Sequence, residues 1–504
     1  MVTYTCGILF LIAGYFTYGK FIEKFFGIDP RRETPVKRLA DGVDFLPMPL
    51  WKMLMIQLLN IAGLGPIFGA IMGVMFGEMA FVWILFGCVF MGAMYDFFGG
   101  FVSLRNDGIS LPNAIGIYLG KYAKGIMIVF TCILLMVVGV VFTKAPAGLL
   151  ENQTNELIET FVPASDGNEG LRSMLFSFNN IYLWMGIVLF YYLLSTLFPI
   201  GRLIGKIYPI FSVAFVFMAV GVAGAIYYYG FTGAITVPEL SFADIFKNMH
   251  RDPVHNFIFP MLFVVISCGA ISGFHATQSP MMARCMTSEK YARPVFYGAM
   301  ILEGLVAWIW ATAAVSYCGG IEGANTMISS YSLVVLVNEI CSDWLGVFGA
   351  VLAVSGIIVC AITSADTALR AVRLTIADTF KIPQGSFWMR LVISLPIVVF
   401  TALACAGDFE LVWRYLGIAN QVIASVTLWA ATSFLISLGK PHWVASLPAV
   451  FMTWVCISYF LLAEPIAGGL GISYVYFGYI AGGLVALGAF LAVTSMAKKR
   501  WAGN

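Results

Sequence analysis

Ser267-Cys268-Gly269-Ala270-Ile271-Ser272-Gly273-Phe274-His275-Ala276-Thr277-Gln278-Ser279-Pro280 lies in the middle of an apolar run over 256–285. A run of that length can cross a bilayer core as a helix, yet glycines, a proline and several polar side chains interrupt its centre. Unwound backbone in lipid leaves amides and carbonyls unpaired, at several kcal/mol each. It survives only where it lines a polar cavity or is buried in protein. Ile61-Ala62-Gly63-Leu64-Gly65-Pro66-Ile67-Phe68-Gly69 interrupts a second run, over 50–77, in the same way. Two broken spans at corresponding places are the pattern of a secondary transporter that binds its substrate at the breaks. Glycine and proline also permit tight helix crossings, which is the plainer use of the first stretch taken alone.

The rest of the chain agrees with a lipid solvent. Hydrophobic residues make up 60% of 504 positions and charged residues 11%, with a mean hydropathy of +0.90. That is too little charge to cover a soluble surface. Thirteen candidate spans follow, over 2–26, 50–77, 79–101, 125–147, 179–199, 209–230, 256–285, 294–318, 343–368, 387–406, 411–438, 443–463 and 470–496. The first run has no basic leader or cleavage site and is expected to be a span. The ten cysteines fall mostly within apolar runs, without a Cys-x-x-Cys pair, and are expected to pack as small hydrophobes. No metal site, disulfide or cofactor is expected. The absence of a Walker motif argues against ATP-driven pumping, and nothing suggests a nucleic-acid partner.

Charge sets the orientation. With the N-terminus outside, all but five of the 28 basic residues fall on the inner side; the exceptions are Lys144, Arg172, Lys247, Arg251 and Arg414. The positive-inside rule therefore places the N-terminus outside and the C-terminus in the cytoplasm of a bacterial inner membrane. The outer loops 151–178, with its Pro163 and Asp166-Gly167-Asn168 turn, and 232–256 have room for a short amphipathic helix each. Five helices over 50–230 and five over 256–438 would be inverted copies, because an odd number reverses the second set. Residues 1–49 then form an extra helix and cytoplasmic loop, and 443–504 two further helices and a short tail.

Polar groups at membrane depth are functional candidates by default. His275 is the only histidine of four within a span, and its ordinary pKa near 6.5 suits proton coupling or substrate binding. A neutral imidazole bonded to a nearby carbonyl is the structural alternative. Glu303, deep and without an evident partner, is a second proton-site candidate. Asp96 and Arg370 lie toward inner span ends, where a structural ion pair or an interfacial position is expected. Thr363-Ser364-Ala365-Asp366-Thr367, with carbonyls of the first break, offers oxygen ligands for sodium, although such hydroxyls more often bond to their own helix. Gly63, Gly65, Ser272, Gly273, His275, Thr277 and Gln278 would line the substrate site, with Asn420 and Gln421 also facing it.

Asp41-Gly42-Val43-Asp44-Phe45, the first break, the run Ser272 to Arg284 and Gly417-Ile418-Ala419-Asn420-Gln421 resemble, in that order, the signatures of the carbon starvation protein A (CstA) family. The resemblance implies uptake of pyruvate or short peptides, coupled to protons, on a fold like that of the leucine transporter. In that fold a sodium site would fall at Ala62, Gly65, Thr363, Ser364 and Thr367. An intramembrane hydrolase using Ser272 and His275 is a remote alternative, lacking an evident third orienting group. A nutrient sensor without transport is another, but no relay segment is evident.

Overall fold

A computed structural model describes residues 1–163, 168–198, 204–407 and 409–501, and these are helices and connecting loops with no strand among them. The helices include α1 Val2–Phe26, α2 Leu50–Ile61, α3 Gly65–Phe76, α4 Met79–Arg105, α5 Lys121–Phe161, α6 Glu169–Phe178, α7 Ile181–Leu197 and α8 Tyr208–Thr232, with shorter helices at Leu111–Leu119 and Ile321–Ser330. They continue as α9 Gly273–Ala283, α10 Glu289–Tyr317, α11 Leu333–Phe380, α12 Phe387–Ala404, α13 Leu411–Ser437, α14 Trp443–Leu462 and α15 Val475–Trp501. Among the described residues ten helices are long and apolar enough to span a membrane, or up to twelve if the bent pairs α2–α3 and α6–α7 each count as one. The stretch 258–283 adds two short helical pieces around a break, each too short to cross alone.

Burial separates core from lipid-facing helices. The most apolar window of α10 is 89% buried and that of α15 only 22%. α15 accordingly exposes Ile480, Leu484, Leu487 and Leu491, and α8 exposes Val213 and Val220. In a bilayer those side chains meet acyl chains, where exposed hydrocarbon carries no penalty. Close helix approach depends on small residues. A Cβ on Gly7 of α1 would lie 2.2 Å from the Trp308 ring of α10, and Trp308 Nε1 donates to the Tyr4 carbonyl at 3.0 Å.

Several boundaries differ from the sequence expectation. α5 does not end near 147 but continues as helix to Phe161, carrying Pro146 inside it. The 151–178 segment does contain a short helix, α6, with Leu171, Met174 and Phe178 exposed. The expected turn at Asp166 and Gly167 lies outside the described residues, as does Arg202 of the charge pattern. The 232–256 segment forms turns rather than a helix. Its backbone is tied to other elements instead: Glu239 accepts from the Val2 and Thr3 amides at 2.8 Å each, and Met249 N–H donates to the Phe76 carbonyl. α11 is a 48-residue helix interrupted at Gly346, whose φ of 67° is non-helical.

Both central interruptions are present. α2 ends at Ala62, and α3 resumes at Gly65 at 54° to it. The second break runs from Ile266 to Ser272, with Gly269 at φ +88°, a left-handed conformation that glycine tolerates best. It is shorter than expected. Helix resumes at Gly273, so His275, Thr277, Gln278 and Pro280 belong to α9 rather than to unwound chain. The breaks touch each other: a Cβ on Gly65 would lie 2.3 Å from Cys268 Cβ. Replacing Gly65 with alanine should therefore destabilise the protein by about 1–3 kcal/mol through overpacking. Gly125→Ala, where a Cβ meets nothing within 4 Å, should leave the thermal midpoint unchanged in the same detergent melt.

Candidate functional site

Several backbone groups at and beside the breaks are paired with side chains. Ser364 Oγ donates to the Leu59 carbonyl at 2.7 Å and Cys360 Sγ to the Ala62 carbonyl at 2.6 Å. Around the second break, Trp83 Nε1 donates to the Ile266 carbonyl at 3.0 Å. Gln421 Nε2 donates to the Phe263 carbonyl at 2.7 Å, and Asn420 Oδ1 accepts from the Phe274 amide at 2.9 Å. Two adjacent residues of α13 thus hold the two sides of one break. Asn420 also accepts from Ser272 Oγ at 3.3 Å. The start of α9 is therefore capped by the protein's own amide, which is why helix resumes there despite the polar sequence.

Behind the second break three ionisable side chains meet. His275 Nδ1 lies 3.0 Å from Asp96 Oδ2 of α4, and its Nε2 lies 3.1 Å from Glu303 Oε2 of α10, with all three side chains fully buried. The Glu303 contact is close but out of hydrogen-bond alignment. Glu303 Oε1 accepts from the Gly269 amide at 3.0 Å. A neutral imidazole donates from one nitrogen only, and an ionised carboxylate only accepts. With an imidazolium, or a proton on one carboxyl group, both nitrogens could face carboxylate oxygens without repulsion. The array also joins one of its members to the unwound backbone.

Glu303, expected to have no evident partner, lies against His275, and Asp96 is buried rather than interfacial, with His275 as its ionisable partner. Asp96 as a partner of His275 is legible only as a charge at membrane depth, since nothing local joins it to His275, 179 positions away. Cys268 Sγ, a His275 nitrogen and a Glu303 oxygen lie within 4.8 Å of one another. That is a donor set suited to a transition metal, but here the imidazole faces carboxylates on both sides. Ser272 and His275 do not form a nucleophile–base pair: the hydroxyl bonds to Asn420, and Nδ1 and Nε2 of the ring face Asp96 and Glu303.

The hydroxyls expected around sodium each donate a hydrogen bond, and the Ala62 carbonyl accepts one. Thr363 Oγ1 donates to Cys360 O, and Thr367 Oγ1 to Thr363 O and Ser364 O, all within their own helix. Asp366 stands apart, its Oδ2 accepting from Ser195 Oγ at 2.6 Å and Tyr208 OH at 2.5 Å. Arg370 pairs with Asp44, not Asp96.

A cavity of about 730 Å³ reaches the breaks. Its buried base includes Gly65, Cys268, Phe274 and Asn420, and its mouth carries exposed Asp252, His255, Arg414 and Glu464. At that mouth a hydrogen bond to Asp252 (2.9 Å) raises the His255 pKa above its ordinary value. Of the expected substrate-binding residues, Gly65 and Asn420 border this space. Gly63, Ser272, Gly273, His275, Thr277, Gln278 and Gln421 are buried beside or behind it. Gly63 packs on Phe142, Gly273 on the Asn420 backbone, and Gln278 donates to Thr277 Oγ1. The mouth residues do not stand out in the sequence, since charges at span ends and in the loops between spans are ordinary.

A family profile described as "Carbon starvation protein CstA" matches residues 1–191, 160–330 and 319–459. A Haemophilus influenzae relative named "Uncharacterized membrane protein" is 39% identical over 350 residues, covering 64% of this chain and 92% of its own. The "Peptide transporter CstA" of Campylobacter jejuni is 26% identical over 549 residues, covering 87% and 76%. The "Pyruvate/proton symporter BtsT" of Escherichia coli is 26% identical over 348 residues, covering 61% of this chain and 47% of its own, so the match spans about half of that protein. Among solved structures, MhsT in complex with L-phenylalanine superposes with a TM-score of 0.54 at 12% identity, over 90% of this chain and 99% of its own. A mutant of the Eremococcus coleocola manganese transporter superposes at 0.51 and 13%, over 92% and 99%. At those identities the likeness is one of fold. Because Asn420 caps the start of α9, Asn420→Ala should lower stability by about 1–3 kcal/mol, read as a lower melting midpoint in detergent.

Proposed function

The chain belongs to the carbon starvation protein CstA family, and from that premise we propose that it is a proton-coupled symporter importing pyruvate or a related small carboxylate by alternating access. One observation carries the reading: the Asp96–His275–Glu303 array sits directly behind the break whose Cys268 borders the cavity, and Glu303 holds the Gly269 amide. A proton added to the array weakens the charge-assisted bond that Glu303 accepts from Gly269. The break next to the substrate space then changes its restraint, so proton and substrate each alter the other's affinity. A 100-fold mutual effect corresponds to about 2.7 kcal/mol of coupling, within the strength of one such bond.

The orientation proposed is N-terminus outside and C-terminus in the cytoplasm of the bacterial inner membrane. This puts the cavity mouth outside and the arginine-rich end inside, so the conformation faces outward. Counting 258–283 as one broken span gives thirteen, with 50–230 and 256–438 as inverted halves that each begin with a broken helix. Protons are favoured over sodium as the coupling ion, because the Cys360 thiol already occupies the Ala62 carbonyl. Short peptides are the second reading. A cavity of about 730 Å³ is far larger than pyruvate, within the range of drug-sized ligand pockets, and relatives are named peptide transporters.

The test is uptake into proteoliposomes driven separately by proton and sodium gradients, with labelled pyruvate and labelled dipeptides. An inward acid gradient should concentrate one substrate, and a sodium gradient should not. Glu303→Gln should lose gradient-driven accumulation by about tenfold or more while substrate exchange at equal pH persists. Sodium-driven uptake indifferent to pH, or equal loss of exchange and accumulation, would sink the coupling scheme. No uptake of either substrate class would sink the transport reading.

A further inference from the structure

At the end of the bundle away from the cavity mouth, α11 presents Arg370 and Arg373 one turn apart, both fully buried. They share a single oxygen, Asp44 Oδ1, at 3.7 and 3.5 Å, too far for a hydrogen bond. Asp44 is positioned by its own segment, in which Asp41 Oδ1 accepts from the amides of Val43, Asp44 and Phe45 at 2.8–2.9 Å. Arg370 Nη2 donates to the Ser195 and Phe198 carbonyls, and Arg373 Nη1 to Gln384 Oε1. Among the described residues, that leaves Nε and Nη1 of Arg370, Nε and Nη2 of Arg373 and Nε of Arg390 buried without a hydrogen-bond acceptor.

The charges do not balance either. Arg284, Arg370 and Arg390 all lie within electrostatic reach of Arg373. The carboxylates around them are Asp44, Asp378 paired with Arg284 at 3.0 Å, and Asp366, which is committed to Ser195 and Tyr208. Among the described residues four guanidiniums thus face three carboxylates, of which Asp44 and Asp366 are buried and Asp378 is partly exposed. Each buried donor left unpaired costs about 1–3 kcal/mol, more when charged, and a surplus buried cation is dearer still. Forked guanidinium donors one turn apart are the geometry that receives a carboxylate on two edges.

We infer that Arg370 and Arg373 form a second carboxylate-binding station at the exit end of the transport path, which Asp44 occupies as a stand-in while that end is shut. When the Asp44 segment withdraws, the substrate's carboxylate takes its place on the unpaired guanidinium nitrogens before release. The identity of the ligand as substrate rests on the function proposed above; the anion site itself does not.

The experiment uses the full chain in nanodiscs, with thermal stabilisation titrated by pyruvate, acetate, phosphate and chloride. Asp44→Asn removes the internal competitor and should tighten pyruvate and acetate binding by about tenfold. Adding Arg373→Gln or Arg370→Gln in that background should abolish the gain. Unchanged affinity in Asp44→Asn, or a gain that survives loss of both arginines, overturns the site. Chloride or phosphate binding as tightly as pyruvate overturns its assignment to the substrate. Should the wild type transport neither pyruvate nor peptide while the acetate titration behaves as stated, the transport reading fails and the anion site stands.

Discussion

The structure depends on one constraint: backbone unwound at membrane depth must find hydrogen-bond partners within the protein. The two breaks press against each other at Gly65 and Cys268, and the helices around them carry the groups that pair the freed amides and carbonyls. Trp83 and Glu303 serve one break, Cys360 and Ser364 the other, and Asn420 with Gln421 brackets the second from both sides. Buried polar side chains that would otherwise be liabilities are what allow the chain to leave helical geometry here.

That same pairing creates the functional opportunity. Glu303 is both a hydrogen-bond acceptor for the Gly269 amide and a flank of His275, so one side chain joins the buried array to the backbone beside the cavity. Asp96 completes the array from α4. The opposite end of the bundle is organised differently. There, charge is concentrated as arginine on α11, hydrogen-bonded to the Ser195 and Phe198 carbonyls and Gln384 and facing the loop carboxylate of Asp44. A buried carboxylate–histidine–carboxylate array near the cavity and an arginine cluster at the far end are two separate electrostatic features of one bundle.

Much of this is legible in the chain before it is folded. Hydropathy locates the spans, and Gly63-Leu64-Gly65-Pro66 and Gly269 mark real interruptions. His275 and Glu303 stand out because ionisable groups in lipid are rare. The length of the second break is overestimated, because polar residues and Pro280 look alike in sequence whether they unwind a helix or sit in one capped by a distant Asn420. Helix α5 is cut short for a related reason: polarity ends the span, whereas helix continues beyond it to Phe161.

Sequence by itself determined the membrane class, the family resemblance, the two interruptions and the candidates at membrane depth, because each of these is a local property of composition and spacing. Only the tertiary structure decided which candidates act together. Asp96, His275 and Glu303 are far apart in the chain, as are Asp44 and Arg370, and their meeting is set by how helices cross rather than by any neighbouring residue. It also decided that Asn420 and Gln421 hold backbone and that the threonine hydroxyls of α11 turn back onto their own helix. A polar side chain's role follows from the partner it finds, and that partner belongs to the packing.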